Sequence, residues 1–160
     1  MPPRSLLSAR ARAALFDIPT DPDGLMRHYL LSPSDLELIR TRRRDENRFG
    51  LAVHISLLRH PGQGWRDGVV LPAALLDWLG DQLHLPASHL LNYASRGATR
   101  AAHQALAMQC LDLAPFTKTH MAVAEDIATK AAFATDHGVK ILETLIAELR
   151  KHHLVLPSVD

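Results

Sequence analysis

A single cysteine, Cys110, among 160 residues excludes a disulfide within the chain and a zinc site built on thiolates. Such sparing use fits a reducing compartment. Aromatic residues make up only 5% of the chain, so leucine and alanine must fill the core. Small and unbranched apolar side chains favour helix over strand. No apolar run approaches the ~20 residues that a membrane-spanning helix needs. The opening segment MPPRSLLSARARAALF carries arginines but neither a long apolar stretch nor a small-residue cleavage site, so it reads as a poor secretory leader. These shortages point to a soluble helical protein of the cytoplasm, built as one domain or as two small ones sharing a core.

Net charge is +1, which alone implies no partner. Its distribution says more. Residues 1–60 hold ten Lys/Arg against seven Asp/Glu, and residues 61–160 hold eight against ten. Five arginines (Arg40, Arg42, Arg43, Arg44 and Arg48) fall within nine residues, and a strongly apolar run follows at once. The positive charge is therefore local, as a binding patch requires.

Helix signals recur along the whole chain. Ser8 precedes a short helical segment that Pro19 stops, and another begins near Asp23. In SPSDLELIRTRR, Ser32 reads as a cap, Pro33 as the first helical residue, and Asp35 as a first-turn acid at the positive helix end. DENRFGLAVHISLLRHPG follows, with Asp45 expected as its cap and Phe49, Val53 and Leu57 four apart on a buried face. PGQGWRDG is the clearest loop, with three glycines and a proline. Beyond it, Pro72 is expected to open a helix burying Leu75, Leu76, Leu79 and Leu83. A short helix follows Pro86, and the next one is expected to turn Leu106, Cys110 and Leu113 inward. Two longer helical runs follow, the second with Ile141, Leu142, Leu145, Ile146 and Leu149 as its apolar stripe. LVLP near the end reads as a short extended piece. The expectation is an all-α fold of about eight or nine helices, divided by the glycine-rich loop into residues 1–66 and 67–160.

Chemistry finds little support. Ten histidines invite a metal, but they are scattered, no HExxH is present, and no short-spaced ligand set emerges. The glycine-rich loop lacks the GxxxxGK[ST] order and a preceding strand. No local signature sets a nucleophile beside a base and an orienting acid. The chain is therefore read as a non-enzyme with no cofactor of its own.

The arginine run keeps two readings. It can be a solvated helix end whose arginines complement the dipole of the helix begun at Ser32. It also falls at a junction between two helices, where helix-turn-helix proteins place the turn and the start of the recognition helix. There Arg40, Arg42, Arg43 and Arg44 suit phosphates, with Arg43 and Arg44 flanking bases, while Asn47 and Arg48 in the next first turn suit adenine and guanine edges. A second stretch of this sort is SRGATRAAHQ, where Arg96, Thr99, Arg100 and His103 share one side of a helix start, with Thr99 as a candidate cap. A third is Lys118, Thr119 and His120 beside Thr117, at a helix N-terminus able to hold a phosphate.

With these residues in view, the sequence resembles the N-terminal region of replicative transposases of the Tn-three (ampicillin-transposon) family. The resemblance rests on LSPSDLELIRTRRRDENRFGLAVHISLLRHPG, then LPAALLDWLGDQLHLPASHLLNYASRGATRAAHQ, LAPFT and LRKHHLVLP, in that order. Asn47, Arg48 and Gly50 match the family's Asn-Arg-hydrophobic-Gly step. Tyr93, Arg96, Thr99, Arg100 and His103 match its Tyr-x-x-Arg-x-x-Thr-Arg-x-x-His stretch. Ala98, Ala101 and Ala102 stand where the family often carries charge. The resemblance implies two helix-turn-helix-like modules in tandem that bind double-stranded DNA at the transposon's terminal inverted repeats. It also implies that cleavage belongs to a separate DDE-type core, RNase-H-like and dependent on divalent metal, which this chain ends before reaching. The location implied is the bacterial cytoplasm, on the nucleoid when DNA is bound. Homodimerisation through the full-length protein is a further candidate, and the alternative function is a helical protein-interaction module.

Overall fold

The computed structural model describes residues 7–94 and 96–157. Residues 1–6, Ser95 and residues 158–160 lie outside the described residues, and with them the start of the opening segment and the first residue of SRGATRAAHQ. Eight α-helices and one 3-10 segment follow one another among the described residues. They are α1 (Ala9–Phe16), α2 (Pro22–Tyr29), α3 (Pro33–Arg40), α4 (Asp45–Arg59), α5 (Ala73–Leu83), the 3-10 segment Ala87–Asn92, α6 (Gly97–Cys110), α7 (Lys118–Ala134) and α8 (Gly138–Lys151). The all-α expectation holds. Extended pairing among the described residues is limited to one parallel bridge, Ala114 with Leu154, which is what LVLP supplies. No described helix is long and apolar enough to cross a membrane.

Side-chain caps set several helix starts. Ser8 accepts from the Ala11 amide at 3.1 Å, and Asp21 accepts from Gly24 at 2.9 Å. Ser32 Oγ takes the Asp35 amide at 3.1 Å while the Asp35 carboxylate takes the Ser32 amide at 2.7 Å, a reciprocal capping box. Other starts differ from expectation by a few residues. Arg44, not Asp45, occupies the cap position of α4 and makes no side-chain cap bond. Asp45 is the first helical residue, where its charge still favours the helix's positive end. Pro72 immediately precedes α5 rather than opening it. Arg96 holds the cap position of α6, so Thr99 sits in the first turn.

The chain divides into two compact units, Ile18–Asp112 and Met1–Asp17 with Leu113–Asp160. The glycine-rich loop lies inside the first unit, not at a boundary. Its Trp65 stacks on Tyr93, with ring centroids 5.6 Å apart and planes within 8°, so the loop is bound to the helices on its far side.

Within Ile18–Asp112, α4 is the central helix. Every residue from Phe49 to Leu58 is buried, and α2, α3, α5, α6 and the 3-10 segment pack around it. Backbone groups between the helices find side-chain partners. The Tyr29 carbonyl accepts from Trp78 Nε1 at 3.1 Å and from Gln82 Nε2 at 2.9 Å, and Gln82 Oε1 accepts the Leu31 amide at 2.8 Å. Asp35, 1% exposed, takes a forked Arg59 guanidinium at 2.5 and 2.7 Å. Burial alone would raise the Asp35 carboxyl, but the Arg59 hydrogen bonds and charge together with the Ser32 hydrogen bonds hold it below its usual range.

Two polar side chains inside this unit share one hydroxyl. Tyr93 Oη lies 3.1 Å from His54 Nε2 and 2.8 Å from His103 Nδ1. Tyr93 also packs directly over Gly50, where an added Cβ would be driven into its ring. His103 and Ala107 form the buried side of α6. Cys110, expected inward, shares the face of His103 and Ala107 but is exposed as the last residue of α6.

In the other unit, Leu149, Leu154 and Leu156 are buried against Phe16, Phe116, Leu145 and Ile146. The α8 stripe read from the sequence thus supplies the apolar side that α7 and α1 cover.

Two outcomes follow from this packing. Gly50→Ala is expected to destabilise the protein by about 1–3 kcal/mol, because overpacking against Tyr93 outweighs a helix-propensity gain of about 1 kcal/mol; an unchanged urea midpoint would contradict the close approach. Burial, then the charges of His103 and Arg100, push His54 from 6.5 down to about 4. Between these values the unfolded chain binds a proton that the folded one refuses, so stability present above about pH 6.5 is lost as pH falls, by up to about 3 kcal/mol. Urea unfolding at about pH 7 and about pH 5 measures the loss, and His54→Gln is expected to flatten it.

Candidate nucleic-acid interface

The turn between α3 and α4 is built by its own polar side chains. Thr41 closes α3, its hydroxyl donating to the Leu38 carbonyl at 2.6 Å. Arg42 lays Nε and Nη2 on that same hydroxyl oxygen at 3.2 and 3.0 Å. Arg48 reaches back across the turn, Nε to the Arg42 carbonyl at 2.8 Å and Nη1 to Asp45 at 3.2 Å. These two arginines hold the turn in shape. Arg40, Arg43 and Arg44 are exposed. Arg40 and Arg43 make no hydrogen bond or ion pair among the described residues. Arg44 comes within 3.9 Å of Glu46 with its side chain 76% exposed, a pair worth little in water.

The helix-turn-helix expectation meets a physical limit here. The turn is present, but a recognition helix needs an open face along its length, and α4 is buried from Phe49 to Leu58. Its first turn, Asp45 to Arg48, and Arg59 at its last reach the surface.

The second basic stretch lies beside the first. Tyr93, seated on Gly50, brings the start of α6 against the N-terminal end of α4. A cleft of about 370 Å³ is lined by Thr41, Arg42, Arg43, Arg44, Asn47 and His103. A neighbouring one of about 340 Å³ is lined by Arg44, Glu46, Asn47, Asn92, Ala94, Arg96 and Thr99. Arg44 and Asn47 belong to both, so the two expected sites form one continuous basic surface within Ile18–Asp112. Asn92 is an addition that the sequence did not single out.

The other residues of the second stretch face different tasks. His103 is 5% exposed and spends Nδ1 on Tyr93. Burial first, then the nearby Arg42, lower its pKa. Arg100 donates to Asp67 at 2.6 Å and to the Trp65 carbonyl at 3.4 Å, with its guanidinium carbon 4.5 Å from the Trp65 ring centroid. His54 was not read as functional. Its signal was a histidine inside the apolar run FGLAVHISLL, since a buried polar group needs a partner.

The third cluster belongs to the other compact unit. Lys118 opens α7, and His120 turns inward on its own helix start, where Nδ1 accepts the Thr117 amide at 3.0 Å. Thr117 and Thr119 hydroxyls pair at 2.8 Å. No group of three or more His, Cys, Asp or Glu among the described residues is placed to hold a metal ion.

Comparison with known proteins joins these observations. The chain is 36% identical over 162 residues to the transposase for transposon Tn3926 of Escherichia coli. It is 35% identical over 160 residues to the transposase for transposon Tn501 of Pseudomonas aeruginosa, and 34% identical to that for transposon Tn21 of Escherichia coli. Each match covers 100% of this chain and 16% of the relative, so the chain spans about a sixth of the length of the curated relatives it matches. Residues 6–160 match the family described as "Domain of unknown function (DUF4158)". The chain belongs to that DUF4158 family, in the form that matches transposases of the Tn-three family.

Proposed function

We propose that this chain binds double-stranded DNA at the terminal inverted repeats of a transposon, as the end-recognition part of a transposase whose cleavage chemistry lies elsewhere. The observation that carries this reading is the convergence of Arg43, Arg44 and Asn47 with Arg96 and Thr99 on one surface of Ile18–Asp112. Arginines with uncommitted guanidinium groups suit phosphates and guanine edges, and the Asn47 amide suits adenine. Arg42 and Arg48 act differently: they fix the turn that presents Arg43 and Arg44. Arg40 extends the positive surface along α3. Lys118 and Thr119, with His120 shaping their helix start, offer a further phosphate contact from the second unit.

No cofactor is needed for such binding; the divalent metal belongs with the cleavage chemistry. A second reading has one observation in its favour. Phe133 is 89% exposed on α7, an apolar side chain open to a protein contact, including one with a second copy of the transposase.

A gel-shift titration against an inverted-repeat duplex and a scrambled duplex tests the first reading. With about six phosphate contacts, affinity is expected to fall about a thousandfold between about 50 and 200 mM salt. Arg43→Ala and Arg96→Ala are expected to weaken both duplexes alike, whereas Asn47→Ala removes about 1–3 kcal/mol of discrimination at one base pair. Equal affinity for both duplexes, or indifference to salt, would sink the reading. Light scattering on Phe133→Ser tests the second: a dimer lost on that change, with DNA affinity unaltered, assigns the contact to α7.

A further inference from the structure

A further open cleft in Ile18–Asp112 is not part of the surface just described, but adjoins it through Ala94, which lines both. It has a volume of about 780 Å³, within the range of small-molecule sites. The glycine-rich loop forms one wall and α6 the other. On the loop side, the Trp65 ring lies parallel to Tyr93 and under the Arg100 guanidinium. Asp67 fixes that guanidinium, so the cleft has a flat stacking surface in place before any ligand arrives. On the α6 side, Gly97, Ala101 and Ala105 recur every fourth residue and leave the wall low. His54 lies at the bottom, 1% exposed. Its Nε2 is used by Tyr93, and its Nδ1 is buried from solvent. The Gln104 amide lies beside it, resting against Gly64.

We propose that this cleft takes a single unstacked nucleobase. A planar ring fits the stack that Tyr93, Trp65 and Arg100 begin, because bases stack well on aromatic rings and on arginine planes. The Gln104 side-chain amide, which lines the cleft, offers both a donor and an acceptor, the pattern that a base edge needs and an aliphatic ligand leaves unused. The base comes from a strand of the DNA held on the adjoining basic surface, which makes this site rest on the DNA-binding reading. A free nucleotide shares the same chemistry, and the experiment separates the two sources.

Wild type, Ala101→Leu and Ala105→Leu are compared. Both alanines are exposed on α6, and leucine at either fills the cleft without touching Arg43, Arg44, Asn47 or Arg96. In one arm, a single mismatch is moved along the inverted-repeat duplex, since a mismatched base costs less to unstack. The wild type is expected to bind about tenfold tighter at one mismatch position, where 2-aminopurine fluorescence also changes on binding, and both leucine variants lose that advantage while binding the intact duplex. In the other arm, the four nucleoside 5′-monophosphates are titrated calorimetrically. Nucleotide binding lost in the leucine variants, with no mismatch advantage, assigns the cleft to a free nucleotide. Neither effect, or effects that survive both leucines, overturns the proposal. Failure of all three proteins to bind the intact duplex refutes the DNA reading alone, and the nucleotide arm still decides the cleft.

Discussion

Tyr93 can lie where it does only because position 50 has no side chain. α4 has buried residues on every side, so whatever packs on its second turn must do so at backbone distance, and Gly50 provides that approach. The contact carries consequences in both directions along the chain. It sets the Tyr93 hydroxyl between two imidazoles, which gives His54 and His103 a partner inside an apolar environment. It also sets the lateral position of α6, and with it the distance of Arg96 and Thr99 from Arg44 and Asn47. The Asn-Arg-hydrophobic-Gly step and the Tyr-x-x-Arg stretch, read separately in the sequence, are the two halves of one packing contact.

The geometry also sorts the arginines. Arg42, Arg48, Arg59 and Arg100 are bound to protein groups and do structural service. Arg40, Arg43, Arg44 and Arg96 stand exposed at or near the start of α4 and α6. A local excess of positive charge therefore divides into a part that shapes the surface and a part that can meet a ligand. That division bears on the solvated-helix-end alternative. Arg40 alone lies in the last turn of α3, where it complements the dipole, whereas Arg43 and Arg44 are in the turn beyond it and have no such task.

Much of the fold was legible. Ser8, Ser32 and the prolines marked helix starts because capping chemistry is local, and the leucine spacing of α5 and α8 identified their buried sides. What escaped notice was nonlocal. Asp45 and Thr99 looked like caps because an acid or a hydroxyl in a first turn resembles one placed a residue or more earlier. Cys110 looked inward because periodicity shows that a helix has a covered face but not how far along the helix the cover extends. PGQGWRDG read as a linker from its glycines, and nothing local announced that its tryptophan packs on a ring 28 positions later. For the same reason Arg100 looked like a free surface cation. The union of α1 with α7 and α8 left no trace either, since it joins segments nearly a hundred residues apart.

Asp35 serves two elements at once: it completes the cap of α3 and grips Arg59 at the far end of α4. The pair α3–α4 is thus fastened at the end opposite its turn, as a hairpin is when its open legs are tied. Splaying would strand a buried carboxylate, so the legs stay together and the bend at residues 41–44 keeps its curvature. An arginine row on a bend of fixed curvature has a fixed pitch. Whatever row of anions it meets is measured against a ruler rather than wrapped by a flexible arm, and little motional freedom is left to be lost in the meeting.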